Sequence, residues 1–100
     1  MSAFLPADDA TYTAKTVAYT TVGSTGTWPA GPADVLVWCT TAAYIKVGEG
    51  ATATTSSTPL PANTPMVFAV PPGTGGAWRV SAVQVAAGGN CYAKPGVLVR

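Results

Sequence analysis

The chain has 100 residues, of which only 9% are charged: five Lys and Arg stand against four Asp and Glu, and there is no histidine. This length fits one domain with a single hydrophobic core. The missing histidine excludes Ser-His-Asp and Cys-His nucleophiles, and a net charge of +1 without a basic cluster argues against a nucleic-acid partner.

Residues 1–10 are predicted to form an N-terminal arm ahead of the main domain, residues 11–100. Within the arm, Phe4 and Leu5 precede a proline and two acids. One interpretation is a frayed terminus, and the other is an arm whose Phe4 and Leu5 dock on a neighbouring subunit. The segment lacks the positive region and the long apolar stretch of a signal peptide, so we expect either a mature cytoplasmic product or a protein that is assembled in the cytoplasm.

Seven segments of the main domain have the alternation or the β-branched content that is typical of strands. Segment 34–41 is apolar on both faces, which predicts a strand covered on both sides, with Trp38 in the core. Turns rich in Gly and Pro separate the segments, and this pattern predicts an all-β fold: a single antiparallel β-sandwich, jelly-roll-like, or a small barrel. The predicted strands are 12–21, 34–41, 43–47, 65–70, 78–85, 90–93 and 97–99.

Residues 48–65 are predicted to form one long loop. The segment is rich in Thr, Ser and Pro and carries a single charge, Glu49. Structureless loops longer than about 12 to 15 residues are uncommon in compact domains and are often functional or ordered by a partner. Thr54, Thr55 and Leu60 of this loop are therefore candidate contact residues.

The two cysteines, Cys39 and Cys91, are far apart in the sequence. A disulfide between them would close a long loop and stabilise the fold by about 4 kcal/mol in the chain-entropy model. A protein without a signal peptide, however, stays in a reducing compartment, where buried cysteines are usually free. We therefore expect two reduced thiols.

Acidic side chains are too few and too scattered to suggest an enzyme. Asp8 and Asp9 are adjacent, so they face opposite ways in an extended chain; Asp34 precedes a strand, and Glu49 lies between glycines. This pattern matches neither a glycosidase pair nor a calcium loop, and two cysteines without histidine are too few for zinc. We expect no enzymatic activity, no metal and no cofactor. No apolar run approaches the roughly 20 residues that span a membrane.

Two tryptophans, Trp28 and Trp78, lie beside predicted turns. Aromatic side chains at turns can line a sugar-stacking platform or anchor an interface. They can equally cap the open end of a sandwich, which is the commoner arrangement. Both residues therefore join the candidate contact residues.

The run from Val35 to Val85 resembles a pattern found in small structural proteins of tailed bacteriophages. There, a VRVWST-type strand precedes a YIKVG-like strand, a loop similar to ATxTSSxPLPAN, an apolar strand and a short V-S-V-Q strand. The segments that carry the resemblance cover about half of the chain: 35–47, 51–63, 67–70 and 80–84.

The resemblance implies a virion component, assembled in the host cytoplasm. Head decoration (cement) proteins of this kind bridge subunits of the major capsid protein, are usually β-sandwich or jelly-roll modules, and act as homotrimers or in arrays. The alternative is a receptor- or carbohydrate-binding module of a tail or fibre. The residues that we expect to contact virion partners are Phe4, Leu5, Trp28, Thr54, Thr55, Leu60 and Trp78.

Overall fold

The computed structural model describes residues 3–99, and these residues form nine β-strands and no helix. All strand pairs are antiparallel, so the predicted all-β antiparallel class is confirmed. The strands are β1 (Ala3–Pro6), β2 (Lys15–Tyr19), β3 (Val22–Ser24), β4 (Asp34–Cys39), β5 (Ala43–Gly48), β6 (Thr58–Leu60), β7 (Met66–Ala69), β8 (Arg79–Gln84) and β9 (Gly89–Val99).

The strands form two sheets, consistent with a small β-sandwich. In the five-stranded sheet, β9 lies in the centre; β4 and then β7 lie on one side of it, and β1 and β2 both pair with its other side. The four-stranded sheet has the order β3-β8-β5-β6. The chain passes directly from β2 in one sheet to β3 in the other across Thr20 and Thr21.

Strand alternation fills the core between the two sheets, because every second side chain of a strand points to the same face. Each fully buried aliphatic side chain contributes roughly 1.5 to 3 kcal/mol relative to exposure. The main contributors to the core from β2, β4, β5 and β8 are Val17, Tyr19, Val35, Val37, Ala43, Ile45, Val80 and Ala82.

β4 is covered on one face only, which corrects the prediction that Trp38 lies in the core. Val35, Val37 and Cys39 are completely buried, whereas Leu36 and Trp38 on the opposite face are half-buried. The four-stranded sheet covers the first face, and residues 3–99 form no layer of comparable size over the second. An apolar run identifies a buried strand, but it does not show how many layers cover it.

β9 continues through Pro95, where the sequence predicts two separate strands. The carbonyl oxygen of Pro95 accepts a hydrogen bond from the Ala7 amide at 3.0 Å, so this edge of the residue faces the side on which β1 and β2 pair. Pairing with β2 ends at Ala93, and pairing with β1 begins at Gly96. Proline has no backbone N–H to donate. Pro95 lies between the stretch of β9 that pairs with β2 and the stretch that pairs with β1, where no hydrogen bond to either strand requires an N–H.

Residues 3–6 form an edge strand of the same chain, which corrects the prediction of an extended arm. β1 pairs with β9 in register from Ala3 opposite Val99 to Pro6 opposite Gly96. The Phe4 ring packs directly over Gly96, where an added Cβ would lie 2.5 Å from the ring. The part of the predicted arm formed by residues 1–2 lies outside the described residues.

The predicted loop 48–65 is partly ordered by the chain itself. Residues 51–53 cross the four-stranded sheet, where the Ala53 amide donates to the Ser81 hydroxyl at 2.8 Å and the Arg79 side chain donates to the Ala51 carbonyl at 2.9 Å. β6 then pairs with β5, and Leu60 is buried. The small side chains of Ala51 and Ala53 let this segment lie close to the sheet. β6 has only three residues, which is too few for an alternation of apolar and polar residues to predict a strand.

Cys39 and Cys91 form a disulfide, so the prediction of two reduced thiols is wrong for this structure. The two residues lie directly opposite each other on β4 and β9, with their Cα atoms 4.0 Å apart, and both are completely buried. The prediction came from the presumed compartment, whereas the pairing follows from the register of two strands that are 52 residues apart in sequence.

Candidate interaction surface

Trp28 and Trp78, two of the predicted contact residues, are buried and offer no surface to a partner. They are 1% and 0% exposed, their ring centroids lie 4.9 Å apart, and each backbone N–H donates to the other residue's carbonyl. Their indole N–H groups donate to the carbonyls of Thr13 and Pro29. Every backbone and indole N–H group of the two tryptophans therefore has a carbonyl partner, and these hydrogen bonds hold the turn segments that carry the pair against the core.

The remaining predicted contact residues divide between surface and interior. Thr54 and Thr55 are exposed at a turn in which the Thr54 amide donates to the Ser57 hydroxyl at 3.0 Å. Leu60 is 1% exposed and belongs to the core. Phe4 is half-buried, whereas Leu5 is 61% exposed. The structure therefore leaves Leu5, Thr54 and Thr55 as the accessible members of the predicted set.

The outer face of the five-stranded sheet carries an aromatic pair that the sequence did not single out as a site. Trp38 of β4 lies directly opposite Tyr92 of β9, and their ring centroids are 5.1 Å apart at an interplanar angle of 32°. Tyr92 is 41% exposed. Leu36 and Ala14 border a shallow depression of about 120 Å³ beside the pair. We call Ala14, Leu36, Trp38 and Tyr92 the aromatic face.

Lys94 closes one side of the aromatic face. Its ammonium donates to the Asp9 carboxylate at 2.6 Å and to the Tyr12 carbonyl at 2.8 Å. The hydrogen bond and the positive charge of Lys94 hold the pKa of the exposed Asp9 carboxyl below its usual value. The Lys94 charge is therefore directed to the rim, while its aliphatic stem lines the depression beside Tyr92.

A second apolar surface lies where β1 and the end of β9 extend beyond the core. Strand alternation places Val97 and Val99 on the same side as the buried Cys91 and Ala93, yet they are 42% and 48% exposed. Leu5 lies directly opposite Val97. The inner face of this two-stranded extension is thus apolar but not covered by the four-stranded sheet. We call Leu5, Val97 and Val99 the ribbon surface.

The aromatic face and the ribbon surface are both formed mainly by apolar and aromatic side chains. Within residues 3–99, no group of three or more Cys, Asp or Glu residues could hold a metal ion. The same part of the chain contains no helix long and apolar enough to cross a membrane. Both surfaces expose apolar or aromatic side chains: Tyr92 on the aromatic face, and Leu5, Val97 and Val99 on the ribbon surface.

Comparison with protein-family models, with curated proteins and with solved structures finds no significant match to this chain.

Part of the aromatic face could be predicted from the sequence, because alternation in VLVWC places Leu36 and Trp38 on one face of the strand. The pairing with Tyr92 could not, since it depends on the register between strands separated by about 50 residues.

Proposed function

We propose that this protein is a structural component of a tailed-phage virion, a capsid decoration (cement) protein that stabilises the head by bridging coat-protein subunits as a homotrimer. The observation that carries the proposal is the aromatic face: a sheet face on which Tyr92 is exposed beside the half-buried Trp38, with no second layer formed by residues 3–99. Tryptophan and tyrosine are enriched among the residues that dominate binding energy in interfaces.

The composition supports the same proposal. A chain with 9% charged residues has little electrostatic repulsion to keep its copies apart in solution. Cores of protein interfaces are depleted of charge in the same way. On a shell with many equivalent sites, multivalency raises the affinity of a small contact area without a deep pocket.

The Cys39–Cys91 disulfide is compatible with a virion component. Disulfides persist on virion and cell surfaces, where conditions are oxidising, although they are rare in the cytoplasm. Both cysteines are completely buried beneath the aromatic face. The cross-link would stabilise a subunit that must remain folded outside a cell.

The direct test is binding to undecorated heads. Wild-type protein should co-sediment with heads and raise the temperature at which they rupture, and Tyr92→Ala should weaken binding about tenfold or more, as expected for an interface anchor. Val22→Ala is the matched control, because Val22 is an exposed apolar residue on a strand of the other sheet. Absence of wild-type binding to heads, or an equal loss of binding in both variants, would contradict the proposal.

The proposed homotrimer has its own test: the molar mass of the protein, measured by light scattering after size-exclusion chromatography, should be that of three chains.

The second candidate function is a carbohydrate- or receptor-binding module of a tail or fibre. The tilted Trp38–Tyr92 pair favours it, because exposed aromatic rings beside a shallow depression can stack on sugar rings. A glycan array separates the two functions. A sugar signal that Tyr92→Ala abolishes, together with no binding to heads, would support the carbohydrate module instead.

A further inference from the structure

A cleft lies away from the aromatic face, at the end of the sandwich where β4 begins. It encloses about 540 Å³, a volume within the range of ligand sites. Its walls are formed by residues 30–34, by residues 69–74 and by the end of β9. Asp34 is the only charged residue among these described lining residues.

Asp34 is 9% exposed as a residue, and one oxygen of its carboxylate accepts no hydrogen bond from residues 3–99. Its Oδ2 accepts a hydrogen bond from the Leu98 amide at 2.8 Å, while Oδ1 accepts none from residues 3–99. No completely buried side-chain oxygen lacks a partner in this part of the chain. Oδ1 therefore retains contact with open space, and the cleft is the open space that Asp34 lines.

The sheet register explains why a carboxylate is placed there. Pairing between β4 and β9 ends with Asp34 opposite Gly96, but β9 continues to Val99. The amide of Leu98 would otherwise lack a partner on the β4 side, and Asp34 supplies one. This hydrogen bond fixes the orientation of the carboxylate, so its second oxygen is held in one direction.

The walls of the cleft are held in place before any ligand arrives. The Val70 amide donates to the Ala33 carbonyl at 2.8 Å, joining the two loop walls. The Tyr12 hydroxyl donates to the Ala30 carbonyl at 3.1 Å, and the Thr74 hydroxyl donates to the Pro71 carbonyl at 2.6 Å. A site held this way loses little conformational freedom when it binds a ligand.

We propose that this cleft binds an arginine side chain of a protein partner. The carboxylate has no ion-pair partner within residues 3–99, and a cation at Oδ1 would form a charge-assisted hydrogen bond in a partly desolvated place. Polar and apolar atoms line the cleft in nearly equal shares, and Pro32, Pro71 and Pro72 supply part of the apolar wall. A guanidinium is flat and less strongly hydrated than an ammonium, so it suits apolar walls better than lysine does.

Only the identity of the partner as a coat protein rests on the proposed function. The ligand chemistry rests on Asp34 and its cleft alone. The assignment of a coat-protein partner and the assignment of an arginine ligand can therefore fail separately, and the experiment has one arm that tests each.

The first arm titrates the full chain with N-acetyl-arginine amide and follows backbone amide signals by NMR. Saturable shifts are expected at Thr74 and Leu98, and Asp34→Asn should weaken binding about tenfold or more. The side-chain amide oxygen of this variant can still accept from the Leu98 amide, so the fold should persist. Glu49→Gln is the control, because it removes the same charge from an exposed residue that does not line the cleft. The neutral citrulline analogue should not bind.

The inference would be overturned if no saturable shift appeared up to about 100 mM ligand, because binding that weak is not specific. It would also be overturned if the citrulline or lysine analogue bound as tightly as the arginine amide. A third contradicting result would be a loss of arginine affinity in Glu49→Gln equal to that in Asp34→Asn. Arg100 lies outside the described residues, so Arg100→Gln is included. If that variant bound arginine amide about tenfold more tightly, the chain's own Arg100 would be the occupant and the inference would fail.

The second arm measures binding of Asp34→Asn to undecorated heads. Loss of head binding together with loss of arginine binding would support an arginine on the coat protein. Intact arginine binding by a wild-type protein that ignores heads would overturn the proposed function and leave the cleft assignment standing. Full head binding by Asp34→Asn would refute the coat protein as the source of the arginine.

Discussion

Two aromatic pairs of nearly equal geometry have opposite surroundings in this molecule. Trp28 and Trp78 lie 4.9 Å apart in the interior, with both indole N–H groups bonded to carbonyls, whereas Trp38 and Tyr92 lie 5.1 Å apart on an open sheet face. The inner pair is almost completely buried, and Tyr92 of the outer pair is 41% exposed. Ring stacking alone therefore does not decide what an aromatic pair does; the number of layers that cover it does.

The largest loss of stability is expected when a residue of the inner pair, Trp28 and Trp78, is replaced. Trp78→Ala should lower the free energy of unfolding by about 3 to 5 kcal/mol, because it removes a buried ring and leaves a cavity. Urea denaturation measures this loss, and Trp78→Phe is the control that retains part of the volume. A loss below about 1 kcal/mol, the range of surface changes, would contradict the placement of this pair in the core.

The disulfide beneath the outer pair should have the next largest effect. Replacing both Cys39 and Cys91 by Ala should lower stability by about 2 to 4 kcal/mol, since the cross-link closes a loop spanning 52 residues. Denaturation with and without reductant measures the effect. The double variant should not respond to reductant, and a wild-type protein that also ignored it would support the original expectation of free thiols.

A smaller effect on stability is expected for the outer pair. Trp38→Ala should lower the free energy of unfolding by about 1 to 2 kcal/mol, because only part of the ring leaves water on folding. Comparison with Trp78→Ala in the same denaturant series sharpens the contrast between the pairs. Equal losses in the two variants would mean that the outer face is covered in the isolated protein.

The smallest effect concerns the ion pair at the rim of the aromatic face. Lys94 lowers the pKa of Asp9 in the folded state, so the stabilisation is present above the unfolded pKa of about 3.9 and is lost as the pH falls through the folded value. Asp9→Asn should flatten the acid limb of the melting temperature measured against pH. An identical slope in wild type and Asp9→Asn would contradict the ion pair.

The sequence predicted the fold class correctly because alternation and Gly/Pro turns are local signals. β4, β5, β7 and β8 lie close to their predicted bounds, while the three-residue β3 and β6 are too short for alternation to reveal. The prediction divided β9 into 90–93 and 97–99, because the pairing that carries the strand through residues 94–96 depends on distant strands.

The candidate surfaces were predicted less well, since they depend on register and layering. Both tryptophans chosen for contact are buried, and the tryptophan assigned to the core borders the exposed face. The sequence places Asp34 just before a predicted strand, and its contact with Leu98 spans 64 residues. Pairings at that distance have no signature in a single sequence.

The central position of β9 has a consequence for how the protein is made. β9 pairs with β1, β2 and β4, yet it follows all three in chain order. During synthesis from the N-terminus, those strands emerge without the element that joins them, and the larger sheet can close only after β9 has left the ribosome. Contacts of such long sequence separation form slowly and leave strand edges exposed meanwhile. The nascent chain is therefore most prone to aggregate just before β9 appears.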